Sequence, residues 1–204
     1  MLKKITRKIF IAFILFSASE TSFAGEHNQD FDQFPLIENI DKWRTWVELR
    51  ANIKRVDRES IKQLVSNAYQ GYRLVSTCIG TYRDEGKVDV AVALVDAKQK
   101  TGVYAVLLQV GTANYEIAEI AKSSISFTEK GVMQPWMEVS CKSWTSITRL
   151  IENYKNSPGS VSLKPINHYD VACTVPLAST EDFACYGYNA KKNKFEDIGG
   201  WSNE

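Results

Sequence analysis

The sequence lacks most of the residues from which catalytic and metal sites are built. Only two histidines are present, His27 and His168, and His27 lies in a polar stretch near the amino terminus. No C-x-x-C pair, no glycine-rich phosphate loop and no G-x-S-x-G elbow occurs. A hydrolytic triad needs a histidine beside its nucleophile, and a single histidine in a turn is usually not catalytic. These absences disfavour a histidine-dependent hydrolase, a zinc protein and a nucleotide-binding protein.

The one long apolar run is too short to cross a bilayer. Residues 9–16 are apolar over about 8 positions, whereas a transmembrane helix needs about 20. Four basic residues precede the run, and Ser22 and Ala24 place small side chains before a cut ahead of Gly25. The pattern predicts a cleaved signal peptide at residues 1–24. An uncleaved anchor is the alternative.

The leader indicates where the protein is located and changes its charge. A short, lysine-rich leader is typical of Gram-negative bacteria and predicts a periplasmic product, with a secreted eukaryotic protein as the weaker alternative. Cleavage leaves 21 basic and 23 acidic side chains from the original 25 and 24. A net charge of −2 provides no basic field to attract nucleic acid or an anionic membrane. No second long apolar run follows the leader, so we expect no stable membrane insertion after cleavage. We expect a flexible lead-in at residues 25–38 and one domain at residues 39–204.

The four cysteines predict disulfide bonds. They all follow the leader, and an even number in an oxidising compartment favours bridges over a zinc site or a reactive thiol. Three pairings are open, and we favour Cys173–Cys185 and Cys78–Cys141. Cys173 and Cys185 lie in short β-like runs separated by a turn-rich stretch, which brings them together if the two runs form a hairpin.

Hydrophobic periodicity predicts two helices followed by strands. Asp41 and Asp57 are suitable N-caps, and apolar residues at helical spacing follow each of them. Alternating or continuous β-rich runs then predict a meander over residues 72–110 and another strand at 136–141. Residues 114–122 are compatible with a strand or a helix, and we favour a strand because it continues the meander. A short helix at 144–154 precedes the last strands. These elements predict an α+β fold, with N-terminal helices packed on an antiparallel β-sheet and stapled by disulfides.

Residues 80–89, GTYRDEGKVD, resemble the G-D-F-N-G-D-G-K-x-D turn of FG-GAP-like modules. The same turn occurs in a group of small, uncharacterised exported bacterial proteins, and the matching residues here are Gly80, Tyr82, Gly86, Lys87 and Asp89. Acidic residues of that turn hold Ca²⁺. Thr81 and Arg83 replace two of them, which leaves Glu85 and Asp89, so we expect a structural turn without a metal. The resemblance extends loosely over residues 72–201. It implies a fold and export from the cytoplasm, but it implies no catalytic residue and no cofactor.

By elimination, the sequence favours a non-enzymatic domain that binds another protein. An inhibitor or immunity protein against an envelope-acting toxin or lytic enzyme is the specific hypothesis. Tyrosine and tryptophan dominate interface hot spots, and the candidate anchors are Tyr82, Tyr186, Tyr188 and Trp201, with packing within the sheet as the alternative. The alternative is an envelope hydrolase that uses unidentified carboxylates, for which Asp96, Glu119 and Glu138 are candidates.

Overall fold

The computed structural model describes residues 56–84, 86–96, 98–127, 133–134, 137–154, 163–164, 166–176 and 183–201. The predicted signal peptide at 1–24, the lead-in at 25–38 and the first predicted helix after Asp41 lie outside the described residues. None of the helices in the described ranges is long and apolar enough to cross a membrane.

Most of the described chain is β strand. The strands are β1 (Arg73–Gly80), β2 (Asp89–Asp96), β3 (Thr101–Gly111), β4 (Asn114–Ser124), β5 (Ser126–Phe127), β6 (Met133–Gln134), β7 (Met137–Lys142), β8 (Val171–Pro176), β9 (Phe183–Asn189) and β10 (Lys194–Trp201). The helices are α1 (Arg58–Ala68) and α2 (Trp144–Tyr154). The predicted meander, the strand at 114–122 and the helix at 144–154 are confirmed.

The predicted α+β class, with N-terminal helices packed on an antiparallel sheet, is wrong. The described residues are mostly β and form two antiparallel four-stranded sheets, in the orders β1-β2-β3-β4 and β10-β9-β8-β7, beside a small β5–β6 pair. The physical reason lies in β2, where Val90 and Val92 on one face and Ala91 and Ala93 on the other are all buried. Helices on one face of a single sheet would leave the second face in water, so a second sheet covers it.

The main core lies between the two sheets. From the first sheet it takes alternate residues of the central strands, such as Ala93 and Val106, and from the second sheet Val139 and Ala172. At the edge, β7 runs beside β1, where the Val139 N–H donates to Ser76 Oγ at 2.7 Å. The two sheets are therefore joined by an apolar core and, between β1 and β7, by a direct hydrogen bond.

Each helix contributes to a core on the outer face of one sheet. Asp57 caps α1, as predicted, because its Oδ1 accepts from the Ser60 N–H at 3.0 Å. Ile61 and Val65 of α1 are buried in a cluster with residues of β1 to β4. Ile147 of α2 is buried in a cluster with residues of β8 to β10. The layer order is thus helix, sheet, sheet, helix.

The favoured disulfide pairing is confirmed. Cys78 of β1 is bonded to Cys141 of β7, so this bridge joins the first sheet to the second. Cys173 and Cys185 lie directly opposite each other on β8 and β9 and are bonded within the second sheet. All four cysteines are in disulfide bonds, so none is a free thiol in this structure.

Gly102→Ala is expected to lower the free energy of unfolding by about 1–3 kcal/mol. A Cβ at Gly102 in β3 would overlap Met137 Sδ and lie 2.7 Å from Met137 Cε and 2.8 Å from Ser123 Oγ. Met137 is fully buried, so its side chain has little room to move away. Urea unfolding of the variant and the wild type measures the difference.

Gly111→Ala is the matched control at the other end of β3. A Cβ there meets only Asn114 Cβ, at an ordinary 3.5 Å, so the same substitution should change stability little. Equal stability of the two alanine variants would contradict the close approach of Met137 to β3.

Candidate functional site

Two of the four predicted surface anchors are buried in the core. Tyr82 is 0% exposed and Tyr188 is 6% exposed, so the expectation that they lie on the surface is wrong. Their rings pack edge-on against Phe195, at centroid distances of 5.5 and 5.4 Å. Two tyrosines and a phenylalanine on neighbouring elements meet between the sheets, where aromatic side chains bury the most area.

The Tyr82 hydroxyl is satisfied by the disulfide that links the sheets. It lies 2.7 Å from Cys141 Sγ, and it must donate because a bridged sulfur carries no hydrogen. Burial raises the pKa of Tyr82 well above its ordinary value. Tyr82 is therefore part of the structural core beside the Cys78–Cys141 bridge.

The other two predicted anchors have different positions. Tyr186 is half-buried on β9, and burial raises its pKa. Trp201 is the last residue of β10, and its side chain lies outside the described residues. The four aromatics therefore do not form one surface patch.

Two of the carboxylates considered for catalysis, Asp96 and Glu119, each bind different structural partners. Asp96 Oδ1 accepts from the Lys98 and Gln99 N–H groups and so closes the turn after β2. Glu119 lies 2.9 Å from Lys122 Nζ and accepts from the Tyr69 hydroxyl at 2.9 Å. Lys122 first, and then Tyr69, hold the pKa of Glu119 below its ordinary value.

The remaining candidates for catalysis, Glu138 and His168, lie on different segments of the chain. Glu138 is half-buried on β7, in the second sheet, and the exposed His168 ring packs against Tyr169 at a centroid distance of 4.4 Å. Within the described ranges, no three His, Cys, Asp or Glu residues come close enough to hold a metal ion.

In the turn of residues 80–89, an arginine lies beside the last acidic position. Asp89 is 0% exposed, and its Oδ1 lies 3.5 Å from Arg83 Nη2 and accepts from the Gln109 N–H at 2.7 Å. Arg83 also donates to the Gln109 carbonyl at 2.9 Å. The guanidinium thus supplies positive charge next to the carboxylate that would hold a cation, which agrees with reading this turn as structural. Glu85 lies outside the described residues.

This buried ion pair is incompletely satisfied. Arg83 Nε and Asp89 Oδ2 are both buried without a hydrogen-bond partner among the residues that the structure describes. Burial raises the pKa of Asp89, and the Gln109 N–H and then Arg83 oppose that rise. A guanidinium has five N–H donors, so Arg83 retains donor capacity beyond its bond to Gln109.

Arg83 also borders a surface cavity that we call the basic groove. The groove has a volume of about 350 Å³ and is lined by Arg83, Ile166, Asn167, Tyr169 and residues 188–191. The guanidinium carbon lies 5.7 Å from the centroid of the Tyr188 ring, within cation–π range. Ile166 is 42% exposed, and Trp144 is the only other exposed large apolar residue in the described chain.

Local hydrogen bonds fix the walls of the basic groove. Asn189 Oδ1 accepts from the Lys191 N–H at 3.1 Å and so shapes the β9–β10 turn. On the opposite wall, Asn167 Oδ1 accepts from the Tyr169 N–H at 3.0 Å, and Asn167 Nδ2 donates to the Tyr188 carbonyl. The groove is therefore preorganised by asparagine side chains.

Only part of this site can be recognised from the sequence. The lysine-rich turn before β10 and the segment after Pro165 were both recognisable as turns. These two segments lie beside Arg83 only because of the order of strands in the second sheet. Hydrophobic periodicity does not determine that order. Ile166 and Lys191 were therefore missed.

The fold and this groove define a small domain of two stacked antiparallel sheets, held by two disulfides, with a basic and aromatic groove beside the β9–β10 turn. Comparison with protein-family models, with curated proteins and with solved structures finds no match to this chain. The likeness of residues 80–89 to FG-GAP-like turns therefore stays a prediction from the sequence.

Proposed function

We propose that this chain is an exported, non-enzymatic domain that binds another protein. A periplasmic inhibitor or immunity protein against an envelope-acting toxin or lytic enzyme is the specific form of the proposal. The two disulfides support an oxidising compartment, because such bonds persist in the periplasm and outside the cell.

The observation that carries the proposal is the basic groove. An exposed isoleucine, a half-buried tyrosine and an arginine together have the composition of an interface hot spot. Ile166 and Tyr169 offer apolar area, and the hydrogen-bonded walls reduce the entropy lost on binding. The hydrolase alternative has weaker support, since Asp96 and Glu119 are engaged in separate structural contacts.

The test is capture from a bacterial envelope extract with the tagged product of residues 25–204, disulfides intact. We expect a specific protein partner that the untagged domain displaces. Ile166→Ala should weaken binding of that partner by roughly 5- to 30-fold, the effect of truncating a hot-spot residue worth about 1–2 kcal/mol.

Trp144→Ala is the matched control, because Trp144 is also a large exposed apolar residue but lies on α2. It should leave capture unchanged. If no protein is displaced by the untagged domain, the binding proposal fails. If both alanine variants weaken capture equally, the basic groove is not the recognition surface.

A further inference from the structure

We infer that the basic groove binds a single carboxylate side chain, an aspartate or glutamate flanked by apolar residues, on the surface of the partner protein. This inference rests on the proposed function and specifies the chemistry of the partner. It is carried by the charge of the groove, by its size and by its apolar rim.

The groove has uncompensated positive charge. Its lining includes Arg83 and Lys191 but no acidic residue. The charge of Arg83 is partly neutralised by the buried carboxylate of Asp89, which lies 3.5 Å from Arg83 Nη2. Within the described part of the chain Lys191 has no ion-pair partner, because the nearby Glu196 binds Lys192 at 2.8 Å and accepts from Asn189 at 2.7 Å. Among the lining residues and the Asp89 that pairs with Arg83, two cations and one buried anion leave about one positive charge for a ligand to match.

The arginine is placed to recognise a carboxylate. Its side chain is 15% exposed, so most of the guanidinium is already removed from water and part of it faces the groove. Hydrogen bonds to charged acceptors are stronger where water is excluded. The guanidinium has five N–H donors, more than its bond to the Gln109 carbonyl and its 3.5 Å contact with Asp89 use, so its groove-facing part gives a ligand carboxylate an interaction that the free protein lacks.

The size and rim of the groove favour a protein side chain over a free anion. A volume of about 350 Å³ is at the lower end for small-molecule sites and accommodates one or two side chains. Ile166 and Tyr169 border the charged floor and offer contact to apolar neighbours of the carboxylate. A phosphate would bring nearly two negative charges to a site with about one positive charge to offer.

The test is an NMR titration of the isotope-labelled product of residues 25–204 with a capped peptide in which one glutamate is flanked by leucines. We expect saturable shifts of the amides of Asn167, Tyr169 and Lys191 with a low-millimolar Kd. The same peptide with glutamine should bind at least about fivefold more weakly, since the charge-assisted contacts are lost.

Lys191→Glu should weaken binding of the glutamate peptide at least about tenfold, because it reverses the charge of one of the two basic residues that line the groove. Lys98→Glu is the matched control: Lys98 is also an exposed lysine in a turn between paired strands, but it follows β2. It should bind like the wild type. Thermal melts should show both variants as stable as the wild type, because both side chains are exposed.

Three results would overturn the inference: equal binding of the glutamate and glutamine peptides, shifts confined to residues away from the groove, or tighter binding of inorganic phosphate than of the peptide. The phosphate result would assign the groove to a small anion.

Failure of the proposed function can be distinguished from failure of this inference. If the wild type and Lys191→Glu capture a partner equally well, the proposed function stands and this inference is rejected. If the groove binds the glutamate peptide specifically but no protein is captured, carboxylate binding by the groove stands and the proposed function is rejected.

Discussion

Replacing both Cys78 and Cys141 by alanine is expected to lower the free energy of unfolding by about 4 kcal/mol. The bridge spans 63 residues of sequence, and the entropy that a crosslink removes from the unfolded chain grows with loop length. It also ties β1 of the first sheet to β7 of the second, so its loss frees the two sheets to separate. Urea unfolding under non-reducing conditions measures the change.

The double variant Cys173→Ala/Cys185→Ala is the matched comparison. It removes the same atoms from a second bridge, whose cysteines are both buried, but the loop spans only 12 residues and the chain-entropy model assigns it about 3 kcal/mol. The bridge between the sheets should therefore matter more than the bridge within one sheet. An equal or reversed order would mean that local packing, rather than loop closure, determines what each disulfide contributes.

Tyr82→Phe provides a second readout of the same bridge. In the wild type the substitution removes a buried hydroxyl that has a partner, Cys141 Sγ, and should cost about 1 kcal/mol. In the Cys78→Ala/Cys141→Ala background the hydroxyl has lost that acceptor, so the substitution should be neutral or stabilising. An equal cost in both backgrounds would contradict the contact between Tyr82 and the disulfide.

The sequence predicted the local elements better than their assembly. Strands and the Asp57 cap follow from periodicity and side-chain chemistry. The even number of cysteines predicts bridges but not their partners, and the confirmed pairing was favoured because a hairpin would bring Cys173 and Cys185 together. The two-sheet architecture was missed, although β2 carries apolar residues on both faces. That pattern shows that both faces are covered but not by what, because a helix layer and a second sheet bury a strand equally well.

The same limit explains the errors about the binding residues. Tyr82 and Tyr188 are aromatic residues near turns, and composition alone does not distinguish an interface anchor from a core residue. Their burial depends on Phe195, which reaches both rings only when β9 and β10 lie across from the turn after β1. The replacement of an acidic position by Arg83 is visible within the short segment of residues 80–89, and in the structure this arginine lies beside Asp89.

Arg83→Met is expected to cost about 3–5 kcal/mol at neutral pH, because it leaves the carboxylate of Asp89 buried without its counter-ion. Methionine keeps most of the apolar stem, so the loss reports mainly on charge. A typical domain is stable by about 5–15 kcal/mol, so this one change removes a large share. Urea unfolding at a series of pH values measures it.

The pH dependence of that cost distinguishes charge from packing. Burial already raises the pKa of Asp89 in the folded protein, and removal of Arg83 raises it further. A raised carboxyl pKa means that the folded state binds the proton more tightly than the unfolded state, so stability falls as the pH rises from about 4 through the folded-state pKa. The cost of Arg83→Met should therefore be largest near pH 7 and shrink toward about pH 4.

Arg83→Met/Asp89→Asn is the control for the same site. A neutral amide can still accept from the Gln109 N–H but carries no charge that needs a partner, so the double variant should regain most of the stability lost by Arg83→Met. Its stability relative to the wild type should also vary less with pH. If Arg83→Met costs the same at pH 4 as at pH 7, and Asp89→Asn restores nothing, then Arg83 stabilises the fold through its contact with Tyr188 and not through Asp89.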